Sequence, residues 1–179
     1  MTGRSNESDL IQFNDFIHKV IKDNDHVDAF FSDFSRAFDS VNHDLLIRKL
    51  HNFGIRGTLL NWLNSYLVDW FAQVIIKNVM SSQFRVLSGV PQGSQLGPHL
   101  FIIFINDITE VIKYSNILLF TDDAKLYKRI NNDRDVGQLQ RDIRSLNDLG
   151  TRNIVDLNIN KWYVMNFSKR NYYVPSYSI

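Results

Sequence analysis

Residues 118–130 read LLFTDDAKLYKRI, with the adjacent carboxylates Asp122 and Asp123 set between two apolar runs. The runs from Ile117 to Phe120 and from Ala124 to Ile130 have the composition of β-strands. The acid pair is therefore predicted at the tip of an antiparallel hairpin. Adjacent carboxylates repel each other, and a cation bound between them and a partner would relieve that repulsion. The stretch predicts a sheet that carries a charged site at one end.

A third acid, Asp33, has a matching setting. It follows the apolar run that begins at Val27 and precedes a helix-like segment, so it is predicted at a neighbouring strand end, close to Asp122 and Asp123. Carboxylate oxygens suit Mg²⁺, and two divalent ions can clamp the attacking and leaving oxygens of a phosphoryl displacement. The three acids predict a metal site suited to nucleotidyl transfer. The alternative is a solvated Asp-Asp turn, because Asp is a preferred turn residue.

Composition bounds the class of protein. A chain of 179 residues, 44% of them hydrophobic, can bury one sizeable core and is predicted to form one domain. It contains no Cys, which excludes a disulfide framework and a Cys-based zinc site and fits an intracellular protein. The apolar stretch from Leu100 to Ile105 is too short to span a bilayer, so a soluble protein without a membrane partner is expected. With a net charge of +1, the chain could bind nucleic acid only through a local cluster of basic residues.

The periodicity of apolar residues predicts an α+β fold, with helices packed on one face of an antiparallel sheet. A polar turn is expected at Ser81-Ser82, between two short strands. The predicted helices cover residues 9–21, 35–53, 58–67, about 98–113 and 133–149, and the predicted strands cover 27–34, 71–77 and 84–87, with a strand, turn and strand within 155–167.

Three separated segments resemble the reverse transcriptases of non-LTR retrotransposons, the LINE and jockey-like elements. A fourth, weaker match follows them, and the four occur in the order found in that family. The resemblance covers about residues 2–169 and implies a polymerase palm over 1–169, with a polar, aromatic tail over 170–179. The matching segments are DFSRAFDSVNHDLLIRKL (33–50), SGVPQGSQLGPHLFIIFINDI (88–108), FTDDAKLY (120–127) and, more weakly, LNINKWYVMNFS (157–168).

The resemblance implies an RNA-directed DNA polymerase that adds deoxynucleotides to the 3′ end of a DNA primer on an RNA template. Its cofactors would be two Mg²⁺ or Mn²⁺ ions. Asp33 and Asp122 would bridge the two ions with Asp123 alongside, and the carbonyl of Phe34 would add a neutral oxygen ligand.

The resemblance also implies residues that contact the substrate. Phe38, one helical turn beyond Asp33, would exclude ribose by pressing on the 2′ position of the nucleotide. Gln92 would hydrogen-bond the substrate or template, and Gly93 would allow close approach of the backbone. Lys161 would protonate the departing pyrophosphate. The alternatives are a core aromatic for Phe38, a plain turn for the Pro-Gln-Gly loop and a solvent-exposed lysine for Lys161.

Some features depart from the family pattern. Thr121 stands where these enzymes usually have Ala, and Ala124 where they usually have Thr, although neither change removes a metal ligand. The upstream fingers strands and the thumb that clamp a template and primer are not recognisable in the sequence. These departures leave open a truncated, inactive retroelement remnant, at most a weak nucleic-acid-binding module. A family member that copies RNA at a chromosomal nick would work in the nucleus, but no basic localisation run is present.

Overall fold

A computed structural model describes residues 6–169 and 175–179, and it divides into two compact units. The first, called here the sheet unit, contains the described residues of Met1–Phe34, Asp107–Thr151 and Asp156–Ile179. The second, called the ribbon unit, contains Ser35–Asn106 and Arg152–Val155. The predicted boundary at residue 170 falls where 170–174 lie outside the described residues, and the predicted domain limits stay a prediction.

Helices and strands alternate irregularly along the chain, and none of the described helices is long and apolar enough to cross a membrane. In chain order the elements are α1 (Asn6–Lys22), β1 (His26–Asp33), α2 (His43–Asn52), α3 (Gly57–Leu67), β2 (Trp70–Ala72), β3 (Ile75–Ile76), β4 (Val79–Met80), β5 (Phe84–Val86), α4 (Leu96–Ile105), α5 (Ile108–Val111), β6 (Asn116–Phe120), β7 (Asp123–Ile130), α6 (Asp133–Asn153) and β8 (Tyr163–Phe167).

The sheet unit is built on four antiparallel strands in the order β6-β7-β1-β8. Strand β1 is central and is buried on both faces over most of its length. On one face, Val27 and Ala29 of β1 pack in a core cluster with Phe13 and Ile17 of α1. Aromatic edges contribute as well, because the Phe13 ring meets the Tyr127 ring edge-on at 4.9 Å.

The opposite face of the sheet is also covered. Phe30 and Leu126 are fully buried there, and Lys128 of β7 makes an ion pair of 3.7 Å with Asp135 in the first turn of α6. The α+β class and the antiparallel pairing are thus confirmed, while the helices, predicted on one face, lie beside both. Burial on both faces explains why residues 27–31 are apolar except at Asp28.

Helix α2 is shorter than predicted. It begins at His43, and residues 35–42, which were expected to be helical, form turns instead. Two local features explain the difference. Arg36 has a φ of 49°, which is outside the right-handed helical region, and the Asn42 side chain accepts a hydrogen bond of 2.9 Å from the backbone N–H of Leu45. Asn42 is therefore the N-cap residue, and Phe38 lies in a turn rather than on a helix.

The turn predicted at Ser81-Ser82 lies earlier in the ribbon unit, at Lys77-Asn78. These two residues connect β3 to β4 with φ values of 46° and 66°, and two positive φ values in succession make a tight two-residue hairpin. Strand β2 pairs with β5 outside this hairpin. The Ser81 hydroxyl accepts a hydrogen bond from the backbone N–H of Val74, so it closes the ribbon at that point.

Two further boundaries differ from the prediction. Pro98 does lie in the first turn of a helix, but α4 ends at Ile105, and the expected continuation forms the separate, short α5. Of the two strands predicted within 155–167, only β8 is present, and Leu157 makes an isolated bridge with Phe34.

Candidate active site

The acid pair lies at the tip of the β6–β7 hairpin. Phe120 pairs with Asp123, so the turn consists of Thr121 and Asp122 alone. Thr121 has a φ of 50°, which is uncommon for a β-branched residue. Its single hydroxyl proton is shared between the Phe120 carbonyl, 2.8 Å away, and Asp122 Oδ1, 2.9 Å away. These contacts stabilise the turn. An Ala at position 121, the usual residue in the family that the motifs resemble, could not make them.

Asp33 lies at the same end of the sheet. The register of β1 with β7 sets Asp33 directly opposite Asp123. One residue further on, the backbone N–H of Phe34 donates to the Asp122 carbonyl at 2.9 Å. Because β1 and β7 are neighbours in the sheet, their pairing brings Asp33 close to Asp122 and Asp123, which lie about ninety positions further along the chain.

Lys161 reaches the same end of the sheet from the turn before β8. Its Nζ donates to Asp33 Oδ2 at 2.8 Å, and its side chain is 67% exposed. The turn is tied to β1, because the backbone N–H of Asn158 donates to the Asp33 carbonyl at 2.8 Å. The hydrogen bond and the charge of Asp33 raise the pKa of Lys161 above its ordinary value, and Asp122 and Asp123 add to this effect.

The acids influence one another electrostatically. Partial desolvation raises the pKa of the Asp123 carboxyl, and the charges of Asp122 and Asp33 raise it further, while Lys161 opposes them. Asp33 Oδ1 is buried and has no hydrogen-bond partner within the part of the chain that the structure describes. An unpaired buried carboxylate oxygen in a cluster of negative charge fits a cation ligand.

The acids are not gathered into a complete ligand cage. Among residues 6–169 and 175–179, no three His, Cys, Asp or Glu side chains are arranged closely enough to hold a metal ion. Asp33 Oδ2 is instead occupied by the Lys161 ammonium group. The donor set, all oxygen, fits Mg²⁺ or Mn²⁺, and Lys161 supplies positive charge at the same carboxylate.

A groove of about 510 Å³ adjoins Asp33 and Asp123. Its floor is mainly apolar and includes Phe31 and Tyr163, whose rings stack at 4.8 Å with an interplanar angle of 8°. Lys125 also lines it, with Nζ lying 4.9 Å from the centre of the Phe31 ring, and burial lowers the pKa of Lys125. The groove combines flat apolar surface with both signs of charge.

The other predicted substrate residues lie in the ribbon unit. The centre of the Phe38 ring lies 5.0 Å from that of the Phe101 ring of α4. This contact agrees with the alternative interpretation of Phe38 as a core aromatic residue. Gln92 and Gly93 are exposed in the loop before α4. Gly93 has a φ of 79°, and a side chain added there would meet nothing within 4 Å. Open space beside Gly93 is compatible with the predicted approach of a ligand to the backbone.

Backbone hydrogen bonds join this loop to the Phe38 segment. The N–H of Gly89 donates to the Val41 carbonyl and the N–H of Val90 donates to the Phe38 carbonyl, both at 2.8 Å. The His43 side chain adds a bond of 2.7 Å from Nε2 to the Gly89 carbonyl, which requires Nε2 to carry the proton. Hydrogen bonds thus join the turn that carries Phe38, the predicted sugar discriminator, to the predicted Pro-Gln-Gly loop.

Gly89 is a sensitive point of this structure, and we expect Gly89→Ala to lower the free energy of unfolding by about 2–4 kcal/mol. With a φ of 94°, its Cβ would lie 2.9 Å from the Asp39 Cα and from the Phe38 carbonyl oxygen, and backbone atoms cannot move aside cheaply. Gly93→Ala is the matched control, because it has the same kind of φ without a clash and should cost only about 1 kcal/mol. Urea unfolding of both variants measures the difference, and equal losses would contradict the steric argument.

Residues 4–174 match the family model described as reverse transcriptase (RNA-dependent DNA polymerase). The chain belongs to the reverse transcriptase family. The match extends over nearly the whole sequence and includes all four motif segments. It confirms the sequence-based assignment.

Curated relatives of this reverse transcriptase chain come from non-LTR retrotransposons, as predicted. A probable RNA-directed DNA polymerase from transposon BS of Drosophila melanogaster is 34% identical over 106 residues, which is 59% of this chain and 12% of that protein. The Pol polyprotein of the type-1 retrotransposable element R2 of Popillia japonica is 28% identical over 76 residues, covering 42% of this chain and 12% of that protein. The chain spans about an eighth of the length of these relatives.

The fold is similar to that of solved reverse transcriptases of another kind. A telomerase from Candida tropicalis, in complex with a TWJ fragment of telomeric RNA, superposes with a TM-score of 0.71 at 15% identity, covering 92% of this chain and 30% of that one. At this identity the likeness concerns the fold. It supports the polymerase palm type of α+β architecture that the reverse transcriptase motifs predict.

Two polar residues of the reverse transcriptase chain acquire an importance that sequence reasoning missed. No functional role is predicted for Asp39 or His43 from the sequence, yet both hydrogen-bond the loop that carries Gln92. The available signal was their place in the first motif, where Asp39 lies three residues before the N-cap Asn42 and His43 lies one residue after it. Local sequence did not reveal their partners, which lie 46 and 53 positions away.

Proposed function

We propose that this chain catalyses RNA-directed DNA synthesis, adding deoxynucleotides to a primer 3′ end by two-metal nucleotidyl transfer. The observation that carries the proposal is the strand register that sets Asp33 opposite Asp123, with the Asp122 carbonyl hydrogen-bonded to Phe34, the residue that follows β1. A reverse transcriptase needs carboxylates at adjoining strand ends, and this register supplies them. Its substrates would be deoxynucleoside triphosphates, an RNA template and a DNA primer.

Asp33, Asp122 and Asp123 would hold the divalent ions, with the Phe34 carbonyl as a further oxygen ligand. Two observations support this assignment. Asp33 Oδ1 is buried and has no hydrogen-bond partner among the described residues, and burial together with the charges of Asp122 and Asp33 raises the pKa of Asp123. When bound, the ions stabilise the charge of the transferred phosphoryl group and lower the pKa of the attacking hydroxyl. The protein contributes the position and the charge of the three carboxylates.

Lys161 would supply a proton to the departing pyrophosphate. The contact with Asp33 raises the pKa of the ammonium group, and because the side chain is exposed it can leave Asp33 for a phosphate oxygen, where its proton and its charge would both assist the leaving group. Phe38 would select against ribose, and Gln92 with Gly93 would contact the nucleotide or the template. The assignments of Phe38, Gln92 and Gly93 rest on the family motifs, and the exposure of Gln92 and Gly93 is in favour of the last two.

The proposal is tested by primer extension on an RNA template with an annealed DNA primer, deoxynucleotides and Mg²⁺ or Mn²⁺. We expect metal-dependent extension that stops when EDTA is added and that discriminates against ribonucleotides. Extension that survives EDTA would contradict the two-metal mechanism. No extension from folded protein would contradict the catalytic proposal.

The inactive remnant is the second candidate. The ammonium group on Asp33 and the hydroxyl of Thr121 on Asp122 favour it, because both occupy carboxylate oxygens that metal ions would need. In that case the chain would be at most a weak nucleic-acid-binding module. Gel-shift titration with the same template and primer would then show binding that is unchanged by EDTA and no extension.

Lys161→Met separates the roles of this side chain. We expect extension to fall by about a hundredfold, because the general acid is lost. We expect Mn²⁺ to bind roughly two- to fivefold more tightly, because the ammonium group no longer competes for Asp33. Isothermal titration and extension assays measure the two effects, with the exposed Lys113→Met as the control. A loss of extension accompanied by weaker Mn²⁺ binding would contradict the proposed competition between Lys161 and the metal for Asp33.

A further inference from the structure

The loop that precedes α4 is held by bonds that do not involve the side chain of Asp39. The backbone bonds from Gly89 and Val90, the His43 bond and a bond of 2.8 Å from the Ser88 hydroxyl to the Asp39 carbonyl all use backbone acceptors. Removing the Asp39 carboxylate would leave each of them in place. The loop therefore does not depend on that carboxylate for its position.

The Asp39 carboxylate has one described partner in the loop, the side chain of Gln92. Gln92 Nε2 donates to Asp39 Oδ1 at 2.7 Å, a short distance typical of a hydrogen bond to a charged acceptor. Both residues are exposed, so neither needs the bond to offset burial. The physical consequence is orientation, since a free Gln side chain samples many rotamers in water.

The direction of the amide is determined by its partner. An ionised carboxylate only accepts hydrogen bonds, so the amide nitrogen of Gln92 must face Asp39. The amide oxygen and the second N–H are then left for a ligand, as one acceptor and one donor side by side. Phe38, the residue before Asp39, is held at the same time by its ring contact with Phe101 and by the Val90 N–H.

We propose that Asp39 is a positioning residue that presets the Gln92 amide for a deoxynucleoside triphosphate, while the neighbouring Phe38 ring is held in place by Phe101. The inference rests on the proposed function only in taking a nucleotide as the ligand of Gln92. Ordering Gln92 before binding removes an entropic cost from the association step. Asp39 acts through Gln92 and does not itself touch the nucleotide.

The test is a double-mutant cycle on nucleotide affinity, with no turnover. A primer ended by a dideoxynucleotide is annealed to an RNA template, and the dissociation constant of the next complementary deoxynucleoside triphosphate is measured in Mn²⁺. We expect Asp39→Ala and Gln92→Ala each to weaken binding by about tenfold, and the double variant to be no weaker than Gln92→Ala alone. Asp39→Asn, which keeps an acceptor oxygen, should restore most of the affinity.

Thermal unfolding and a neighbouring acid provide the controls. The unfolding temperature of Asp39→Ala should stay close to that of the wild type, because the backbone bonds of the loop remain. Asp44→Ala, an exposed acid in the first turn of α2, should bind as the wild type does.

Three outcomes would overturn the inference. Asp39→Ala could bind the nucleotide as tightly as the wild type, the double variant could lose affinity by the product of the two single losses, or the wild type could bind no nucleotide. A protein that extends primers while Asp39→Ala binds normally would refute the positioning role alone. A protein that shows the expected cycle but extends nothing would refute catalysis and leave the positioning role standing.

Discussion

Replacement of Asp122 and Asp123 together by Asn should reduce primer extension at least about a thousandfold, because loss of charge stabilisation worth several kcal/mol lowers the rate by about tenfold for each 1.4 kcal/mol. Asn has nearly the shape of Asp and can still accept the Thr121 hydroxyl bond. The backbone bond from Phe34 to residue 122 is also unaffected. The variant thus removes charge and little else.

The same variant should lose its response to metal without losing its fold. Without metal, its unfolding temperature should equal or exceed that of the wild type, because the desolvation of the Asp123 carboxylate and its repulsion with Asp122 and Asp33, which raise the pKa of Asp123, are both removed. Mn²⁺ at a hundred times its dissociation constant should stabilise the wild type by about 2.7 kcal/mol and the variant not at all. Asp156→Asn, an exposed acid of the same unit, is the control. Residual extension or an unchanged Mn²⁺ shift in the double variant would contradict the metal assignment.

A large loss of stability is also expected from Asp142→Ala. Asp142 is 1% exposed on α6, and its carboxylate accepts three successive backbone N–H groups, from Lys113 at 3.0 Å, Tyr114 at 2.9 Å and Ser115 at 2.6 Å. Hydrogen bonds to a charged acceptor are stronger than average, and their loss leaves three donors to find water. We expect the free energy of unfolding to fall by about 2–4 kcal/mol.

Thermal unfolding followed by circular dichroism measures this effect as a fall in Tm of roughly 5–15 °C. Arg141→Ala, an exposed neighbour on the same helix, should change the stability by less than about 0.5 kcal/mol. Asp142→Asn should lie between the two, because its amide retains one acceptor oxygen. A Tm of Asp142→Ala within 2 °C or so of the control would mean that water replaces the carboxylate at little cost.

Sequence reasoning succeeded where a residue and its structural signal are close together. The apolar runs around Asp122 and Asp123 predict the hairpin, and its two-residue turn is present. Helix α1 and strand β1 follow from their apolar patterns, and Pro98 marks the start of α4. In each case the deciding interaction is local, either an alternation of apolar residues or the φ restriction of proline.

Sequence reasoning failed where a small local feature overrode a strong pattern. The apolar spacing of residues 35–53 favours one long helix, yet the left-handed Arg36 and the cap at Asn42 delay α2 until His43. The turn of the ribbon unit lies at Lys77-Asn78 and not at the predicted Ser81-Ser82, because Asn78 tolerates a positive φ. Propensity and spacing are weak compared with a cap or a left-handed residue at the end of an element.

The sequence by itself determined the family, the α+β class and the identities of the acids, because motifs, periodicity and composition are properties of neighbouring residues. Only the tertiary structure decided which side chains meet. It set Asp33 opposite Asp123, directed Lys161 to Asp33 and paired Asp39 with Gln92. The physical reason is that hydrogen bonds and charge interactions act over a few ångströms in space, and chain folding brings within that range residues that are 53 to 128 positions apart.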